Sequence, residues 1–379
     1  MKNICFIVNG YPTKDDPVYA FIRPIVLSIA DLGYNCTVIA PQSITNSIKN
    51  KKKLRDYQWT DVSDNGIKIR IYQPRYVSLS NLRAFNNNFS IILRDKAILN
   101  TFQKENIQAD AIYAHFWDCG IVAASISKNH NIPVFVATGE SKIRVFDYYS
   151  KEKVFKAISR IKGVIAVSTK NLKESVDLGL IDEYKTKSII LPNGFNEKEF
   201  YKLSKKSARE KLNFNLSDKI GIFVGSFNNR KGINRVLSAS KDINNLKLVL
   251  IGAGENITVN SNVLFQGTVP HDELVYYLNA ADFFILPTLA EGCCNAIIEA
   301  MACGLPIISS NLPFNDDILN QNNSILINPL DITDIRFSII KLLENPRFLL
   351  NLGESSLVMS KNLTITQRAR NIVEFMKEY

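Results

Sequence analysis

The chain has 379 residues, of which 46% are hydrophobic and 22% charged, and its formal net charge is +10. These values indicate a globular protein of two domains. We expect no membrane-spanning helix, because no apolar run in the sequence approaches the about 18 residues that such a helix needs. Asn3 opens a strand rather than a signal peptide, and the six cysteines have no C-x₂-C spacing, so we expect a reduced, cytoplasmic protein without disulfides or zinc.

The positive charge lies entirely in the first half. Residues 1–195 contain 27 lysines and arginines against 17 acidic residues, whereas residues 196–379 contain 19 of each. This asymmetry indicates an anionic partner for the first half, either a nucleic acid or an anionic membrane surface. Since no segment resembles a nucleic-acid-reading motif, we expect a membrane surface or a phosphorylated acceptor and no nucleic acid.

The first elements form a βαβ unit. Residues 3–9 (NICFIVN) read as a buried strand, residues 20–32 as a helix and residues 34–40 as the next strand. Gly10 then lies at the carboxyl end of the first strand, where ligands bind in open α/β sheets, although a simple turn glycine fits equally well.

Two basic segments follow in the first half. Lys49 to Arg55 (KNKKKLR) is typical of a solvated loop, with contact to anionic lipid as the alternative. Residues 151–162 predict an amphipathic helix in which Lys153, Lys156 and Arg160 share one face. An ordinary surface helix explains that pattern too.

The predicted strand that begins at Asp110 ends at a histidine. His115 ends this strand, and a glycine-containing turn leads into a helix over 120–128. Without further context, a lone histidine is usually structural. Gly139 follows the next strand, residues 133–138, in the same way. His130 and His271 have no such context, and we predict that they are surface residues.

The second half opens with a strand, residues 220–224, followed by Gly225 and a loop that carries Arg230 and Lys231 before a helix. Glycine at a strand end and two cations before a helix suit a diphosphate group. The later Gly252-Ala-Gly254 is too short for a dinucleotide fingerprint and indicates a close turn.

The most informative stretch is ADFFILPTLAEGCCNAIIEAMACGLPIISS, residues 281–309 and the serine that follows. It predicts a buried strand at 283–286, a loop, and a short helix with Asn295 as its N-cap. Gly292, Cys293, Cys294 and Asn295 would bring backbone N–H groups to an anion. Glu291 lies in the loop, and Glu299, expected in the first helical turn, suits a ribose diol.

The pattern E-x₇-E followed by A-M-A-C-G-x-P-I-I resembles the signature of glycosyltransferase family 4, the retaining enzymes of GT-B fold. The resemblance covers nearly the whole chain and is densest over residues 220–310. It implies an α/β protein of two facing, doubly wound Rossmann-like domains with a cleft between them. Residues 1–195 would form the acceptor-side domain and 196–379 the domain that binds the nucleotide sugar. The final helix, about 364–379, would pack back on the first domain.

The resemblance also implies roles for individual residues. Glu291 and His115 would act at the donor sugar or the reacting centre. Glu299 would hold the ribose, Gly225 and Lys231 would hold the diphosphate, and the backbone of Val269 would contact the base. Gly10 and Gly139 would lie on the acceptor side. The chain departs from the family pattern in three places. Ser226 stands where arginine is favoured, Thr138 stands where many members have histidine, and Gly10 lacks a second glycine beside it. Arg230 could replace the missing arginine charge.

The predicted activity is transfer of a hexose-type sugar from a UDP- or GDP-sugar to a saccharide acceptor, with retention of anomeric configuration. The charge asymmetry favours a lipid-linked acceptor and a peripheral position at the inner face of the cell membrane, in capsule, lipopolysaccharide or other surface polysaccharide synthesis. No cofactor or metal is expected, since no D-x-D motif follows a strand.

Alternatives are an epimerase or hydrolase of the same fold and a non-catalytic protein that binds sugar nucleotides. A phosphorylase with pyridoxal phosphate lacks support in the sequence. The base, sugar, acceptor, linkage and oligomeric state stay open.

Overall fold

The computed structural model describes residues 1–13, 16, 18–79, 83–84, 87–182, 185–259 and 261–379. The chain divides into two compact units. The first unit comprises Met1–Leu191 and Arg368–Tyr379, and the second comprises Pro192–Gln367. The sequence places this division near residue 195. No helix in these described ranges is long and apolar enough to cross a bilayer.

The first unit alternates strands and helices along the chain. Its elements are β1 (Asn3–Val8), α1 (Ile22–Asp31), β2 (Asn35–Ile39), β3 (Gln42–Ser43), α2 (Ile44–Lys49), β4 (Gln58–Val62), β5 (Lys68–Tyr72), β6 (Arg75–Tyr76), β7 (Arg83–Ala84), β8 (Asn87–Asn88), α3 (Phe89–Lys104), β9 (Ala111–His115), α4 (Trp117–His130), β10 (Val134–Thr138), α5 (Val145–Tyr148), α6 (Lys151–Ile158), β11 (Ile161–Ala166), α7 (Thr169–Asp177) and β12 (Lys187–Ile190).

Among the described residues, eight strands of this unit form one sheet in the order β12-β11-β10-β9-β1-β2-β5-β4. Neighbouring strands are parallel except β4 and β5. β9 and β10 are buried at every position, as continuous apolar strands between two layers of helices require. The strand order reverses between β1 and β9, where Val8 lies opposite His115. The loops after these two strands therefore diverge, which opens the usual ligand-binding crevice of such a sheet.

The basic helix predicted over residues 151–162 is shorter than expected. α6 ends at Ile158, because Ile161 already belongs to the buried strand β11. Arg160 is thus outside the helix. Lys153 contacts Asp95 at 3.4 Å and lies over the Tyr149 ring, with its Nζ 4.5 Å from the ring centroid. The predicted helical face shared by Lys153, Lys156 and Arg160 is therefore wrong, because Arg160 lies beyond the end of the helix.

The second unit repeats the same alternation. Its elements are α8 (Lys205–Lys211), β13 (Lys219–Val224), α9 (Ile233–Ser240), β14 (Leu246–Ile251), β15 (Val263–Gly267), a 3₁₀ turn (His271–Glu273), α10 (Leu274–Ala280), β16 (Phe283–Leu286), α11 (Asn295–Ala302), β17 (Ile307–Ser310), β18 (Ser324–Ile327), α12 (Ile332–Glu344), α13 (Pro346–Ser360) and the start of α14 (Ile365–Lys377), whose residues from Arg368 onward belong to the first unit.

Within the described part of this unit, six strands form a parallel sheet in the order β15-β14-β13-β16-β17-β18. The chain first adds β14 and β15 on one side of β13 and then returns to place β16 on the other side. β13 and β16 are neighbours at this reversal, so their carboxyl ends lie side by side while the chain leaves them in opposite directions. Gly252, after β14, has a φ of 149°, and a Cβ there would lie 1.9 Å from the Gly225 oxygen, so only glycine fits this turn.

A buried charge network supports the first unit beside its strand reversal. Arg94 of α3 contacts Asp95 at 3.0 Å and also contacts Asp118 of α4, and its Nη2 donates to the Tyr149 hydroxyl at 2.8 Å. Asn9, directly after β1, donates to the Asp118 carboxylate. Because these charges are almost completely removed from water, each depends on its partners.

We expect Arg94→Met to lower the free energy of unfolding by about 3–5 kcal/mol, because it removes the buried cation that two buried carboxylates share. Urea unfolding followed by circular dichroism measures this loss. The control is Lys187→Met, which removes a 3.4 Å pair with Glu378 whose side chains are 61% and 56% exposed. That change should cost about 1 kcal/mol or less. Equal effects of the two variants would contradict a supporting role for the network.

Candidate functional site

The loop after β13 is built to present a lysine side chain. Gly232 is the N-cap of α9 and has a left-handed conformation (φ 83°), and a Cβ there would lie 2.7 Å from the Pro287 oxygen in the loop after β16. The Asn228 side chain accepts from the Lys231 backbone N–H at 2.9 Å. A Cβ on Gly225 would lie 3.5 Å from Cδ of the Lys231 side chain, so this side chain passes over the end of β13.

The Glu291 carboxylate lies at the centre of this loop pair. Its Oε1 is 2.7 Å from Lys231 Nζ and 2.9 Å from Arg230 Nη1, and it accepts from the Thr288 hydroxyl at 2.7 Å. Lys231 and Glu291 are each only 12% exposed, whereas Arg230 is 42% exposed. Burial opposes the charge on Lys231, but Cys294 and Glu291 outweigh it and raise the pKa of Lys231, so the amine is charged.

Gly292, Cys293 and Cys294 lead from Glu291 into α11. The predicted N-cap is wrong by one residue, because Cys294 caps the helix and Asn295 is its first residue. The Asn295 side chain instead accepts from Asn193 at 2.8 Å, and Asn193 also donates to the Cys293 oxygen at 3.1 Å. This bridge fixes the loop and leaves the helix N-terminus, with its positive dipole end, near the Glu291 cluster.

Glu299 was predicted in the first turn of α11 and lies just past it, because that turn comprises Asn295 to Ile298. Its Oε1 is 3.5 Å from His271 Nε2, and His271 Nδ1 is 3.0 Å from Glu199. Hydrogen bonds to Glu199 and Glu299 raise the pKa of His271 to about 10. The prediction that His271 is a surface residue is confirmed, because its side chain is 61% exposed, and its ring also contacts two carboxylates.

Val269 lies between β15 and the 3₁₀ turn that contains His271. It is half-buried, and Pro270 separates it from the histidine. Its predicted backbone contact with a nucleotide base stays a prediction.

His115 lies at the strand reversal of the first unit and is 3% exposed. Its ring is 5.2 Å from that of Phe21 and 4.4 Å from that of Phe116. No hydrogen-bond partner for His115 Nδ1 is present in the described part of the chain. Burial and the nearby Arg368 lower the pKa of His115 to about 3, so the imidazole is neutral and can donate or accept a hydrogen bond but not supply charge.

The two acceptor-side glycines lie at strand ends of the same unit. Gly10 follows β1, and a Cβ there would be 2.7 Å from the Tyr19 ring. Gly139 follows β10 and donates to Glu140 at 2.9 Å, and the Thr138 hydroxyl donates to the same oxygen at 2.7 Å. Burial raises the pKa of Glu140 to about 7, against the effect of these hydrogen bonds. Thr138 therefore orients a carboxylate at this edge of the sheet.

The structure thus groups the predicted residues into three places. Gly225, Arg230, Lys231 and Glu291 form one cluster in the second unit, and the loop Gly292 to Asn295 leads from it into α11. Glu299 lies in a second cluster with His271. The remaining residues, His115, Gly10 and Gly139, belong to the first unit. Across the described residues, no group of three His, Cys, Asp or Glu side chains is arranged to hold a metal ion.

Comparison with known proteins shows a similarity to glycosyltransferases. Residues 204–359 match the family described as "Glycosyl transferases group 1". This range contains the Glu291 cluster and Glu299. Glycosyltransferase homologues are found along most of the chain. TuaC of Bacillus subtilis, a glycosyltransferase whose name assigns it to teichuronic acid biosynthesis, is 28% identical over 341 residues, which are 86% of this chain and 85% of TuaC.

Solved structures share the fold of the whole chain. Sucrose-phosphate synthase from Thermosynechococcus elongatus superposes with a TM-score of 0.78 at 18% identity, covering 100% of this chain and 99% of its own. Anabaena HepE, solved in complex with UDP, gives a TM-score of 0.73 at 15% identity, with both chains fully covered. The predicted α/β class with two Rossmann-like domains of GT-B type is confirmed, and a glycosyltransferase activity is supported.

Sequence reasoning did not assign roles to four residues of these clusters. Thr288 and Asn193 hold the loop before α11, His271 contacts Glu299, and Glu140 lies at the acceptor-side strand end. Signals were available for three of them. Asn193 lies two residues before the predicted domain boundary at residue 195, His271 is two residues after the predicted base contact, and Glu140 directly follows Gly139.

We expect Glu299→Ala to weaken binding of a nucleoside diphosphate by about 1.5–3 kcal/mol, the usual contribution of hydrogen bonds to a charged group. Calorimetric titration of the parent and the variant with the same nucleotide measures this loss. The control is Glu344→Ala, which removes an exposed carboxylate near the end of α12. If Glu299→Ala binds as tightly as the control, Glu299 does not hold the ribose.

Proposed function

We propose that this protein is a retaining, metal-independent glycosyltransferase of family 4 that uses a nucleotide-diphosphate sugar. One observation carries the proposal. At the strand reversal of the second unit, a charged lysine and a carboxylate, both 12% exposed, lie 2.7 Å apart beside a helix N-terminus. A diphosphate fits the cation and the dipole, and a sugar attached to it fits the carboxylate.

The proposed donor is a hexose-type sugar linked to UDP or GDP. The UDP in the HepE structure supports a nucleoside diphosphate in a protein of the same fold. In this chain Lys231, Arg230 and the N-terminal amides of α11 would neutralise the diphosphate, while Glu299 would accept from the ribose hydroxyls. No metal or cofactor is required, because fixed cations and amides stabilise the charge that develops on the leaving group.

The proposed reaction breaks the bond between the anomeric carbon and the diphosphate oxygen. The acceptor hydroxyl forms the new bond on the same face, and its proton goes to the departing phosphate oxygen. Glu291 would accept from the sugar hydroxyls, and neutral His115 would hydrogen-bond at the reacting centre. Covalent catalysis would instead need a carboxylate behind the anomeric carbon, which the proposed same-face route does not require.

The proposed acceptor is a lipid-linked saccharide used in surface polysaccharide synthesis such as capsule or lipopolysaccharide. The assignment of TuaC to teichuronic acid biosynthesis supports a polysaccharide product. The excess charge of residues 1–195 supports a protein in the cytoplasm that binds the inner face of the cell membrane peripherally. The exposed run Lys51, Lys52 and Lys53 lies next to a pocket of about 510 Å³ that Trp59 also lines.

The experiment that tests the function is incubation with UDP- and GDP-hexoses and a lipid-linked saccharide, with EDTA present. NMR of the product should show a new glycosidic bond with the donor's anomeric configuration. Inverted configuration would contradict retention, and loss of activity restored by Mg²⁺ or Mn²⁺ would contradict metal independence. If the only product is epimerised donor, the protein is an epimerase, and if it is free sugar, the protein is a hydrolase. Binding of the donor without turnover would favour a non-catalytic protein.

We expect Glu291→Gln to lower kcat at least about 10²-fold, the usual size of losing a group that acts in the transition state. Its affinity for free nucleoside diphosphate should stay within a few-fold of the parent, because Lys231 and Arg230 remain. His115→Ala should behave likewise, with His130→Ala as its exposed control. An unchanged kcat in either variant would remove that residue from the proposed chemistry.

We expect the protein to float with anionic vesicles at low salt and to lose this association at about 0.5 M salt, where screening shortens the electrostatic range. Replacing Lys51, Lys52 and Lys53 together with Gln should lower vesicle binding and leave nucleotide affinity unchanged. Flotation at both salt concentrations, with neutral vesicles alongside, measures both effects.

The matched control for this triple variant removes three exposed lysines from the second half, Lys219, Lys241 and Lys361. Both triple variants have the same net charge. If they float equally, the position of the charge does not matter, and if the parent floats equally with neutral vesicles, the membrane part of the proposal is wrong.

A further inference from the structure

The Glu299 carboxylate, which we propose holds the ribose, is 12% exposed and faces a histidine from a different element. His271 begins the 3₁₀ turn after β15, whereas Glu299 belongs to α11. The distance of 3.5 Å between Nε2 and Oε1 is within ion-pair range. The sequence separation of the two residues means that only the fold of the second unit brings them together.

His271 is itself anchored from the opposite side. Its Nδ1 is 3.0 Å from the Glu199 carboxylate, and the Phe200 ring lies edge-on to it at a centroid distance of 5.1 Å. Both ring nitrogens thus face carboxylates, which requires donors at both positions and hence the charged imidazolium. The acidic groups facing the ring from other elements are Glu199 and Glu299, and its own turn contains Asp272 and Glu273.

We infer that His271 is the positioning residue of the nucleotide site: as a cation anchored on Glu199, it fixes the Glu299 carboxylate for the ribose diol. This inference rests on the proposed function, because it assumes that Glu299 binds a nucleoside diphosphate. An ionised carboxylate has about four acceptor positions on two oxygens, so a contact with His271 leaves room for two hydroxyl donors. The cation also offsets repulsion between Glu199 and Glu299.

The test compares the parent with His271→Gln by titration with UDP, GDP and ADP at pH 7.5. Gln keeps a polar side chain of similar reach but carries no charge. We expect the dissociation constant of the nucleotide that binds to rise about fivefold or more, the lower end of typical coupling between sites. The turnover number should change less than the Michaelis constant for the donor, because the residue acts on binding.

The pH dependence distinguishes positioning from packing. The pKa of His271 is raised to about 10, so the cation is present below that pH and is lost as the pH rises through it. The affinity ratio between parent and His271→Gln should therefore be constant from pH 7 to about 9 and approach one by about pH 11. Ionisation of the nucleotide affects both proteins and cancels in this ratio. A ratio that stays constant up to pH 11 overturns the inference.

Proton NMR gives a second readout that needs no enzymatic activity, because the chain has only three histidines. The signal lost in His271→Gln should titrate near pH 10 in the parent, and Glu299→Gln should lower that midpoint. Nucleotide should shift this signal and not that of His130. An unchanged midpoint in Glu299→Gln overturns the inference.

The outcomes separate the two proposals. If the parent binds no nucleoside diphosphate, the proposed function and this inference fall together. If the parent binds one and His271→Gln binds it equally well, the inference alone is wrong.

Discussion

The candidate site depends on one constraint of parallel sheets, namely that every strand delivers its carboxyl end, and the following helix its N-terminus, to the same edge. Where the strand order reverses, the loops separate and leave this polar edge open. In the second unit β13 and β16 are neighbours at the reversal, and Lys231 from the loop after β13 reaches Glu291 in the loop after β16. In the first unit the reversal between β1 and β9 places Gly10 and His115 after neighbouring strands.

The Lys231–Glu291 pair has a consequence for how a diphosphate would bind. One oxygen of Glu291 contacts Lys231 and Arg230 and accepts a hydrogen bond from the Thr288 hydroxyl. A diphosphate competes with that carboxylate for the cations, and the ammonium of Lys231 has three N–H donors to divide between them. When Lys231 also contacts the diphosphate, its attraction for Glu291 becomes weaker. The Glu291 carboxylate is then a better acceptor for sugar hydroxyls. Donor binding would thus prepare the carboxylate that we propose acts on the sugar.

Sequence periodicity predicted the strands of this fold well because they are buried on both faces. Runs such as Phe283 to Leu286 are apolar at every position, and their boundaries are marked by glycine or proline. The contact between Lys231 and Glu291 was not predictable from local pattern, because β14 and β15 intervene in the chain but not in the sheet. The position of Asn295 was missed for a related reason. Its side chain bonds to Asn193, a residue distant in sequence, and therefore does not cap its own helix.

The structure also changes which positive charges can attract an anionic partner. Of the charge counted in residues 1–195, Arg94 is buried among carboxylates, and Lys153 is paired with Asp95. Charges neutralised at such short range contribute little to the field outside the protein. In the Lys49 to Arg55 run, Lys52 and Arg55 contact Asp16, whereas no ion pair within the described ranges involves Lys51 or Lys53. One carboxylate therefore serves two cations there and leaves the run net positive. This run, and not the α6 face, is where an anionic surface would be attracted.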